Sequence, residues 1–304
     1  MRVINSSNWR ELVRSPRGLT LRDLWQDSCA LVVPPAKSMP SDCERPKASH
    51  PPNADYDTIL FEWTEFLGAL RQCGVELISP EIDEWFADQV FVGDHLRLFG
   101  HLCVQGQMQS RRRQREAQRI AKAARRLIPC ENWRSIAACD PTAVLEIGNI
   151  VAFPECRLAF VGISGRVNES GVRVFRQICA ELDWRAVPTE FDSSRITHLS
   201  TAIAPIGDGV ALVDPTATDP VHLNRQGIET IDTPPHEPQA TSSFLVSLAK
   251  RKCVIVPKDN PETCAILDRR GCELLICAMD QLIDCYGVAG ALCAFVKAAP
   301  EKRK

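Results

Sequence analysis

The spacing of apolar positions predicts a chain of short strands separated by single helices. Residues 57–73 carry apolar side chains at helical intervals, and Gly74 ends that helix just before an apolar run at 75–78. The same helical spacing recurs further along the chain. The other predicted helices lie at 110–127, 172–182, 242–250 and 261–270.

Apolar runs of strand length, bounded by residues that favour turns, alternate with these helices. The predicted strands lie at 30–33, 75–78, 86–92, 96–104, 144–153, 158–163, 186–191, 199–204, 209–213, 253–256, 273–277 and 291–296. Paired strands are punctuated by single helices, and the chain has no extended alternation of one strand with one helix. The pattern predicts a repeated strand-strand-helix-strand unit rather than a doubly wound parallel sheet. Repeats of this kind can close into a ring around a central site.

The chain divides into a main domain and less regular segments. Residues 1–28 are polar and rich in arginine, so we expect an extension that packs on the main domain. Residues 37–55 are rich in proline, serine and charge, which predicts a long loop, and long loops in compact domains are often lids or binding segments. We expect the main domain to span residues 29–298 and a charged tail to follow at 299–304.

The composition gives no indication that the protein binds nucleic acid or a membrane. The 304 residues are 45% hydrophobic and 24% charged, which suffices for a large core, and the formal net charge is −2. Such a balance favours neither nucleic acid nor an anionic membrane as a partner. The one basic cluster, Arg111 to Arg113 with Arg115 and Arg119, falls on a predicted helix and is interpreted as a solvated face.

The 14 cysteines are scattered singly, and no two have the spacing of a zinc finger or of a Cys-x-x-Cys motif. The first residues lack the apolar run of a secretory signal, and no apolar stretch approaches the length of a membrane span. We therefore expect reduced thiols in a cytoplasmic protein that needs no metal or other cofactor.

Three residues have the side-chain types that thiolate catalysis needs. Cys293 would supply an attacking sulfur, His198 a proton carrier, and Glu146 a carboxylate that orients the carrier. His198 opens an apolar run that is predicted as a strand, and Glu146 lies in a predicted turn. In a chain with 14 cysteines and 6 histidines the trio alone is not specific.

Two acidic residues bracket an apolar run. Asp88 and Asp94 are six residues apart, so on a regular strand both side chains would point to the same face. A pair of carboxylates on one face suits a planar guanidinium cation. The alternative, which the segment alone does not exclude, is that both are solvated turn residues at the ends of a strand.

The order of several segments resembles the guanidino-group modifying (pentein) superfamily. The likeness is greatest to dimethylarginine dimethylaminohydrolase, and arginine deiminase is a more distant relative. It extends over about residues 29–297 and implies a five-bladed α/β propeller with the active site on its axis. The segments that carry it are 88–94, 110–112, 145–150, 160–171, 198–199 and 290–293.

The resemblance also implies roles for the residues. Cys293 would attack the guanidinium carbon, expel an amine and leave a covalent amidino-cysteine adduct that water hydrolyses. His198 would protonate the leaving amine and then activate water, with Glu146 as its partner. Asp88 and Asp94 would hold the guanidinium. The implied partner is a small guanidino substrate, and a homodimer is an open alternative to a monomer.

Several positions depart from the family pattern. Gly93 stands where a glutamate is usual, Asn149 where an aspartate is usual, and Gln105 where an arginine meets the substrate carboxylate. Arg166 is retained, and with Asn149 and Gln105 it completes the candidate substrate-binding set. We infer that the guanidinium end of the pocket is kept and that the amino-acid end is rebuilt.

The nucleophile position allows more than one alignment. Cys293 is three residues after Gly290, whereas the family spacing is four, so an ungapped match would place Ala294 there; Cys285 is a weaker substitute. The favoured function is hydrolysis of the guanidino group of an arginine-derived compound whose amino-acid end is modified or blocked. Amidino transfer and a non-catalytic binding protein on the same propeller remain as alternatives.

Overall fold

The structure is a computed structural model that describes most of the chain. The described residues are 8–15, 28–44, 54–80, 86–237, 239–248, 251–285 and 287–297. Most of the predicted extension, residues 45–53 of the predicted loop and the tail at 299–304 therefore lie outside the described residues. Within the extension, Trp9 packs edge-on against Trp63 with ring centroids 5.3 Å apart.

The strands form five sheets of three strands each. In each sheet the first strand is antiparallel to the middle strand, and the third is parallel to it. The sheets are β15-β1-β2, β3-β4-β5, β6-β7-β8, β9-β10-β11 and β12-β13-β14. The strands are β1 (Cys29–Leu31), β2 (Glu76–Ile78), β3 (Leu96–Phe99), β4 (Leu102–Gln105), β5 (Trp133–Ser135), β6 (Ile150–Phe153), β7 (Leu158–Ile163), β8 (Arg185–Glu190), β9 (Ile203–Gly207), β10 (Val210–Val213), β11 (Glu229–Asp232), β12 (Phe244–Leu248), β13 (Arg251–Pro257), β14 (Glu273–Cys277) and β15 (Ala294–Lys297).

A helix joins the middle strand of each sheet to the third strand, because parallel neighbours need a crossover connection. The repeated strand-strand-helix-strand unit and the five-bladed propeller are thereby confirmed. The crossover helices are α2, α3, α5, α6 and α7. The helices are α1 (Met39–Asp42), α2 (Tyr56–Gln72), α3 (Arg111–Ala124), α4 (Ile136–Cys139), α5 (Glu169–Glu181), α6 (Pro220–Asn224), α7 (Pro261–Arg269) and α8 (Asp280–Asp284).

The ring closes by pairing the two ends of the described chain. β15 runs antiparallel to β1, so the first sheet combines its own crossover unit with the last strand. The middle strands are almost continuously apolar, and all four residues of β10 are buried, as expected for strands covered on both faces. Of the helices in the described part of the chain, none is long and apolar enough to cross a bilayer.

A short 3-10 turn precedes the first strand of each sheet. We call these five segments the axial turns. The turn before β3 contacts those before β6 and β15, and the turn before β9 contacts those before β6 and β12. The axial turns therefore surround the axis of the propeller. They are Val92–Asp94, Ile147–Asn149, Leu199–Thr201, Ala240–Ser242 and Ala289–Ala291.

Several predicted strands were wrong where an axial turn stands. The predicted strand 86–92 is instead a turn at residues 87–90 followed by Val92–Asp94, with Phe91 N donating to the Asp88 carbonyl. The predicted strand 199–204 begins with an axial turn, 144–153 contains one before β6, and 291–296 starts at the last residue of another. The prediction 96–104 is a hairpin that reverses at Gly100, whose φ of +58° glycine adopts without strain.

The helix predicted at 242–250 was also wrong. This segment forms β12, which pairs with β13 from Phe244↔Ile255 to Leu248↔Arg251. A short apolar run fits either period, so tertiary pairing decides between helix and strand.

Candidate active site

Glu146 and His198 form a buried pair at the axis. Glu146 immediately precedes the axial turn Ile147–Asn149, and His198 immediately precedes Leu199–Thr201. His198 Nε2 lies 2.8 Å from Glu146 Oε2, and both residues are almost wholly buried. Burial acts to raise the pKa of Glu146, but the hydrogen bond and charge of His198, with help from Arg166, hold that pKa well below its usual range.

His198 faces a second carboxylate on its other side. Its Nδ1 lies 3.7 Å from Asp94 Oδ1. Gly148 makes this approach feasible, because a Cβ there would lie 2.5 Å from Asp94 Oδ1 and 2.8 Å from His198 Cγ. The imidazole is thus placed between two acids by a glycine in the neighbouring turn.

Asp94 is already paired within the chain. Its Oδ2 accepts a hydrogen bond from Arg113 Nη1 at 3.1 Å, and Arg113 Nε donates to Glu116 Oε2 at 3.1 Å. Burial acts to raise the pKa of Asp94, yet the charges of His198 and Arg113 outweigh it and lower that pKa. The interpretation of this arginine cluster as a solvated face was wrong for Arg113, which is 2% exposed.

The helical spacing of the apolar residues could have predicted that Arg113 is buried. Arg113 shares the inner face of α3 with Ala117, Ile120 and Ala124, at intervals of three to four residues. Arginine on an apolar stripe needs a buried partner, so the spacing was the signal that the sequence analysis missed.

Asp88 also has both oxygens engaged. Oδ2 accepts from Arg112 Nη2 at 2.7 Å, and Oδ1 accepts from the backbone N of Glu44 at 2.9 Å. Burial is the main cause that raises the pKa of Asp88 to about 6. Asp88 and Asp94 lie on turns rather than on one strand, so the prediction that both point to one face of a strand was wrong. Both carboxylates nevertheless help to raise the pKa of the Arg113 guanidinium.

Arg166 bridges two glutamates. Its Nη1 donates to Glu146 Oε2 at 2.9 Å and to Glu44 Oε2 at 3.1 Å. It lies in a tight turn that the bond from Val167 N to Ser164 O closes. Glu44 belongs to the predicted loop 37–55, and no motif in the sequence marked it.

These contacts join five of the predicted site residues into one network. The path runs from Asp94 through His198, Glu146 and Arg166 to Glu44, whose backbone binds Asp88.

Cys293 follows the axial turn Ala289–Ala291 and lies outside this polar network. It is 3% exposed, in a hydrophobic cluster that includes Phe91 and Leu292. Burial raises the pKa of the Cys293 thiol to about 12, and the charge of Arg97 acts in the opposite direction. Arg97 was not singled out from the sequence.

Gly93 brings the cysteine turn close to Asp94. A Cβ at Gly93 would lie 2.5 Å from the Gly290 carbonyl oxygen and 2.9 Å from that of Cys293. A glutamate in place of Gly93 would therefore push this turn away from the axis. The alternative position, Ala294, begins β15.

The remaining candidates are less central. Cys285 is buried, and a hydrogen bond shared with Cys43 is the main cause that raises its pKa. Asn149 is fully buried, and its Oδ1 accepts from Leu199 N at 3.3 Å, which ties two axial turns together. Gln105 ends β4 opposite Leu96 and is partly exposed.

No group of three or more metal-binding side chains suited to hold an ion occurs among the described residues.

Solved structures of similar fold cover nearly the whole chain. Dimethylarginine dimethylaminohydrolase from Pseudomonas aeruginosa, as a Cys-to-Ser variant complexed with citrulline, matches with TM-score 0.75 and 22% identity over 88% of this chain and 99% of that one. A His-to-Gly variant of dimethylarginine dimethylaminohydrolase, as an adduct with S-methyl-L-thiocitrulline, gives TM-score 0.75 and 21% identity over 89% and 100% of the two chains. The N-terminal domain of ArgZ, an arginine dihydrolase from the ornithine-ammonia cycle in cyanobacteria, gives 0.74 and 18% over 90% and 98%.

At these identities the structures show a shared fold. No match was found among curated protein sequences. The family model for eukaryotic N,N dimethylarginine dimethylhydrolase matches residues 43–235, which is more than half of the chain. On this match and the five-bladed fold, the chain belongs to the dimethylarginine dimethylaminohydrolase family of the pentein superfamily of guanidino-group hydrolases.

Proposed function

We propose that this protein hydrolyses the guanidino group of an arginine-derived compound whose amino-acid end is modified or blocked. The observation that carries the proposal is the buried contact of 2.8 Å between His198 and Glu146, with Asp94 on the other side of the ring. This arrangement suits a proton carrier beside a cationic carbon centre. The family and the solved relatives support the same class of reaction.

The reaction would proceed in two halves. The Cys293 thiol loses its proton to solvent as its sulfur forms a bond to the guanidinium carbon. The bond from that carbon to the leaving nitrogen breaks, and the amine departs with the proton that the His198 imidazolium carries. Water then adds to the amidino-cysteine carbon while His198 accepts its proton. The carbon-sulfur bond breaks, and the ureido product leaves a cysteine thiolate that can be reprotonated.

The thiol needs a cation to become a nucleophile. With a pKa of about 12, Cys293 is neutral at pH 7 in the free protein. A substrate guanidinium beside the sulfur would stabilise the thiolate, and the charge of Arg97 acts in the same direction. Substrate binding would thus activate its own nucleophile.

Binding would use the acids around the axis. A carboxylate offers about four acceptor positions, so the bonds of Asp88 and Asp94 to the chain's own donors leave capacity for a guanidinium. At the other end Gln105 is neutral and cannot neutralise a substrate carboxylate. Asn149 and Arg166 complete the proposed binding set, and this balance favours a substrate without a free zwitterionic end.

A non-catalytic guanidine-binding protein is the second candidate. It is favoured by the apolar surroundings of Cys293 and by the arginine partners that Asp88 and Asp94 already have. Amidino transfer would share the first half-reaction, with an amine in place of water in the second.

The decisive test combines labelling with turnover. We expect 2-chloroacetamidine to modify Cys293 alone among the 14 cysteines, as mapped by peptide mass spectrometry. We also expect ureido product from agmatine or from arginine with blocked ends, and none from the Cys293→Ser variant. Uniform or absent labelling with no product would favour the binding protein, whereas a new guanidine formed only with added amine would indicate transfer.

A further inference from the structure

The pair formed by Glu44 and Arg166 is the most solvent-accessible part of the polar network. Their side chains are 20% and 19% exposed, whereas those of Glu146, Asp94 and His198 are at most 7% exposed. We call this pair the mouth pair. A ligand that approached the axis past this pair would meet its charges first.

Glu44 is held in place by a contact of its own backbone and by contacts of the residue before it. Its backbone N–H donates to Asp88 Oδ1 at 2.9 Å. The preceding residue, Cys43, is 6% exposed and shares a hydrogen bond with the buried thiol of Cys285. These contacts fix the backbone of the segment that carries the Glu44 carboxylate.

Two carboxylates, those of Glu44 and Glu146, compensate the positive charge of Arg166. One nitrogen, Nη1, contacts both Glu44 at 3.1 Å and Glu146 at 2.9 Å. The neighbouring Arg112 is paired with Asp88 at 2.7 Å. An incoming anion would find both of these arginines already bound to carboxylates.

We propose that Glu44 sets the charge that the substrate carries at the end remote from its guanidinium. That end would be a primary ammonium or an uncharged group, and a carboxylate would be excluded. The inference rests on the proposed function and adds to it the chemical class of the remote end.

The discrimination follows from what each ligand must displace. A substrate carboxylate that approached Arg166 would lie beside Glu44 and Glu146, which already compensate that guanidinium, so their charges would repel it. An ammonium group can instead donate to the acceptor positions of Glu44 that Arg166 leaves open. Glu44 thus discriminates between the two kinds of remote end, because it attracts an ammonium group and repels a carboxylate.

The experiment measures binding rather than turnover. Calorimetric titration of the Cys293→Ser protein, which would not consume its ligands, is carried out with agmatine, 4-guanidinobutyrate and methylguanidine. Agmatine and 4-guanidinobutyrate share a guanidinium on a short carbon chain and differ in the charge of the far end. Methylguanidine has no far end and reports on the guanidinium pocket alone.

We expect agmatine to bind at least about ten-fold more tightly than 4-guanidinobutyrate. In Glu44→Gln that ratio should fall to within about three-fold, while the affinity for methylguanidine stays constant. The matched control is Glu181→Gln, because Glu181 also pairs with an arginine, Arg134, at 2.6 Å but lies on the outer helix α5. This control should keep the full ratio.

The outcomes separate the two proposals. Binding of methylguanidine with equal affinities for agmatine and 4-guanidinobutyrate would overturn the role of Glu44 and leave the proposed function intact. An unchanged ratio in Glu44→Gln, with a thermal midpoint like that of the parent, would do the same. If none of the three guanidines binds, the proposed function fails and the role of Glu44 fails with it.

Discussion

At the scale of single residues, His198 is defined by two carboxylates rather than one. Glu146 lies at hydrogen-bond distance on Nε2 and Asp94 at 3.7 Å on Nδ1. A charged imidazolium is stabilised by both, and Glu146 fixes the orientation of the ring. In the proposed reaction the two acids would have separate roles, because Asp94 would also contact the substrate cation whereas Glu146 would act on the imidazole.

Replacing Glu146 by glutamine should reduce the rate of the chemical steps. The amide keeps a hydrogen-bonding group near His198 Nε2 but removes the charge that supports the imidazolium. We expect kcat to fall by about 10²- to 10⁴-fold with little change in KM. Steady-state kinetics on the substrate found in the panel would measure this, with Glu181→Gln as control, and a rise in KM at constant kcat would contradict the assignment.

The thiol of Cys293 should respond differently to neutral and cationic electrophiles. Because burial keeps its pKa near 12, labelling by iodoacetamide should keep increasing as the pH rises to 10 without a plateau. Cationic 2-chloroacetamidine should label at lower pH, since its charge stabilises the thiolate. Rates of adduct formation by mass spectrometry decide the point, and identical pH profiles for the two reagents would rule out activation by a bound cation.

What the sequence supplied at this scale was mainly residue type and order. His198, Glu146, Asp94 and Arg166 were selected in that way, and the structure places them in one network. Glu44 was not found, because its role depends on a contact between a loop of the first sheet and Arg166 in another unit. Such a contact joins residues 122 positions apart and leaves no local pattern.

At the scale of elements, the middle strands and four of the five crossover helices were predicted well, whereas helix α6 and strand β12 were missed. The starts of several strands were also wrong. The axial turns are the reason. Val92, Ile147, Leu199 and Ala291 are buried turn residues, so their positions are apolar like those of a strand. Turn prediction relies on polar residues, glycine and proline at the surface, and a buried turn that packs against neighbouring turns around an axis carries little of that signal.

Gly148 should be the glycine of these turns whose substitution disturbs Asp94 and His198 most directly. An alanine Cβ would lie 2.5 Å from Asp94 Oδ1 and 2.8 Å from His198 Cγ, so one of these groups must shift. We expect Gly148→Ala to destabilise the protein by about 1–3 kcal/mol and to lose most of its activity. Thermal unfolding and turnover measure both effects.

The control for this substitution is Gly165→Ala. A Cβ at Gly165 meets no atom within 4 Å, so this variant should keep near-normal stability. Gly148→Ala with full activity would mean that Asp94 and His198 need not be so close.

At the scale of the whole molecule, five similar units bring distant residues together at one axis. Each unit places an axial turn in front of its first strand, and the site is assembled from turns of different units. Repetition predicted the ring, because each unit has apolar surface that its neighbours cover. The proposed chemistry would come from the side chains in and beside these turns, which differ from one unit to the next.

Burial of charge at the axis should be visible in the stability of the entire protein. Asp88 has a pKa raised from 3.8 to about 6, so the folded state binds its proton more tightly than the unfolded state does. Its contribution to stability is therefore greatest below pH 3.8 and is lost as the pH rises through about 6. Asn at this position does not titrate. The difference in unfolding free energy between Asp88→Asn and the parent should shift in favour of the variant by up to about 3 kcal/mol between pH 4 and pH 8.

Only the change with pH in that difference reports on Asp88. Glu146 and Asp94, whose pKa values are lowered, contribute stability that is lost as the pH falls, but they do so in both proteins. Loss of the bond to Arg112 changes the unfolding free energy by a constant amount across this pH range, because Arg112 stays charged throughout it. Urea unfolding at several pH values measures how this free-energy difference changes with pH. Asp183→Asn is the matched control, because Asp183 also pairs with an arginine but its side chain is 88% exposed. If the curve for Asp88→Asn is no steeper than that of the control, solvent reaches Asp88, and the axis is more open than these contacts imply.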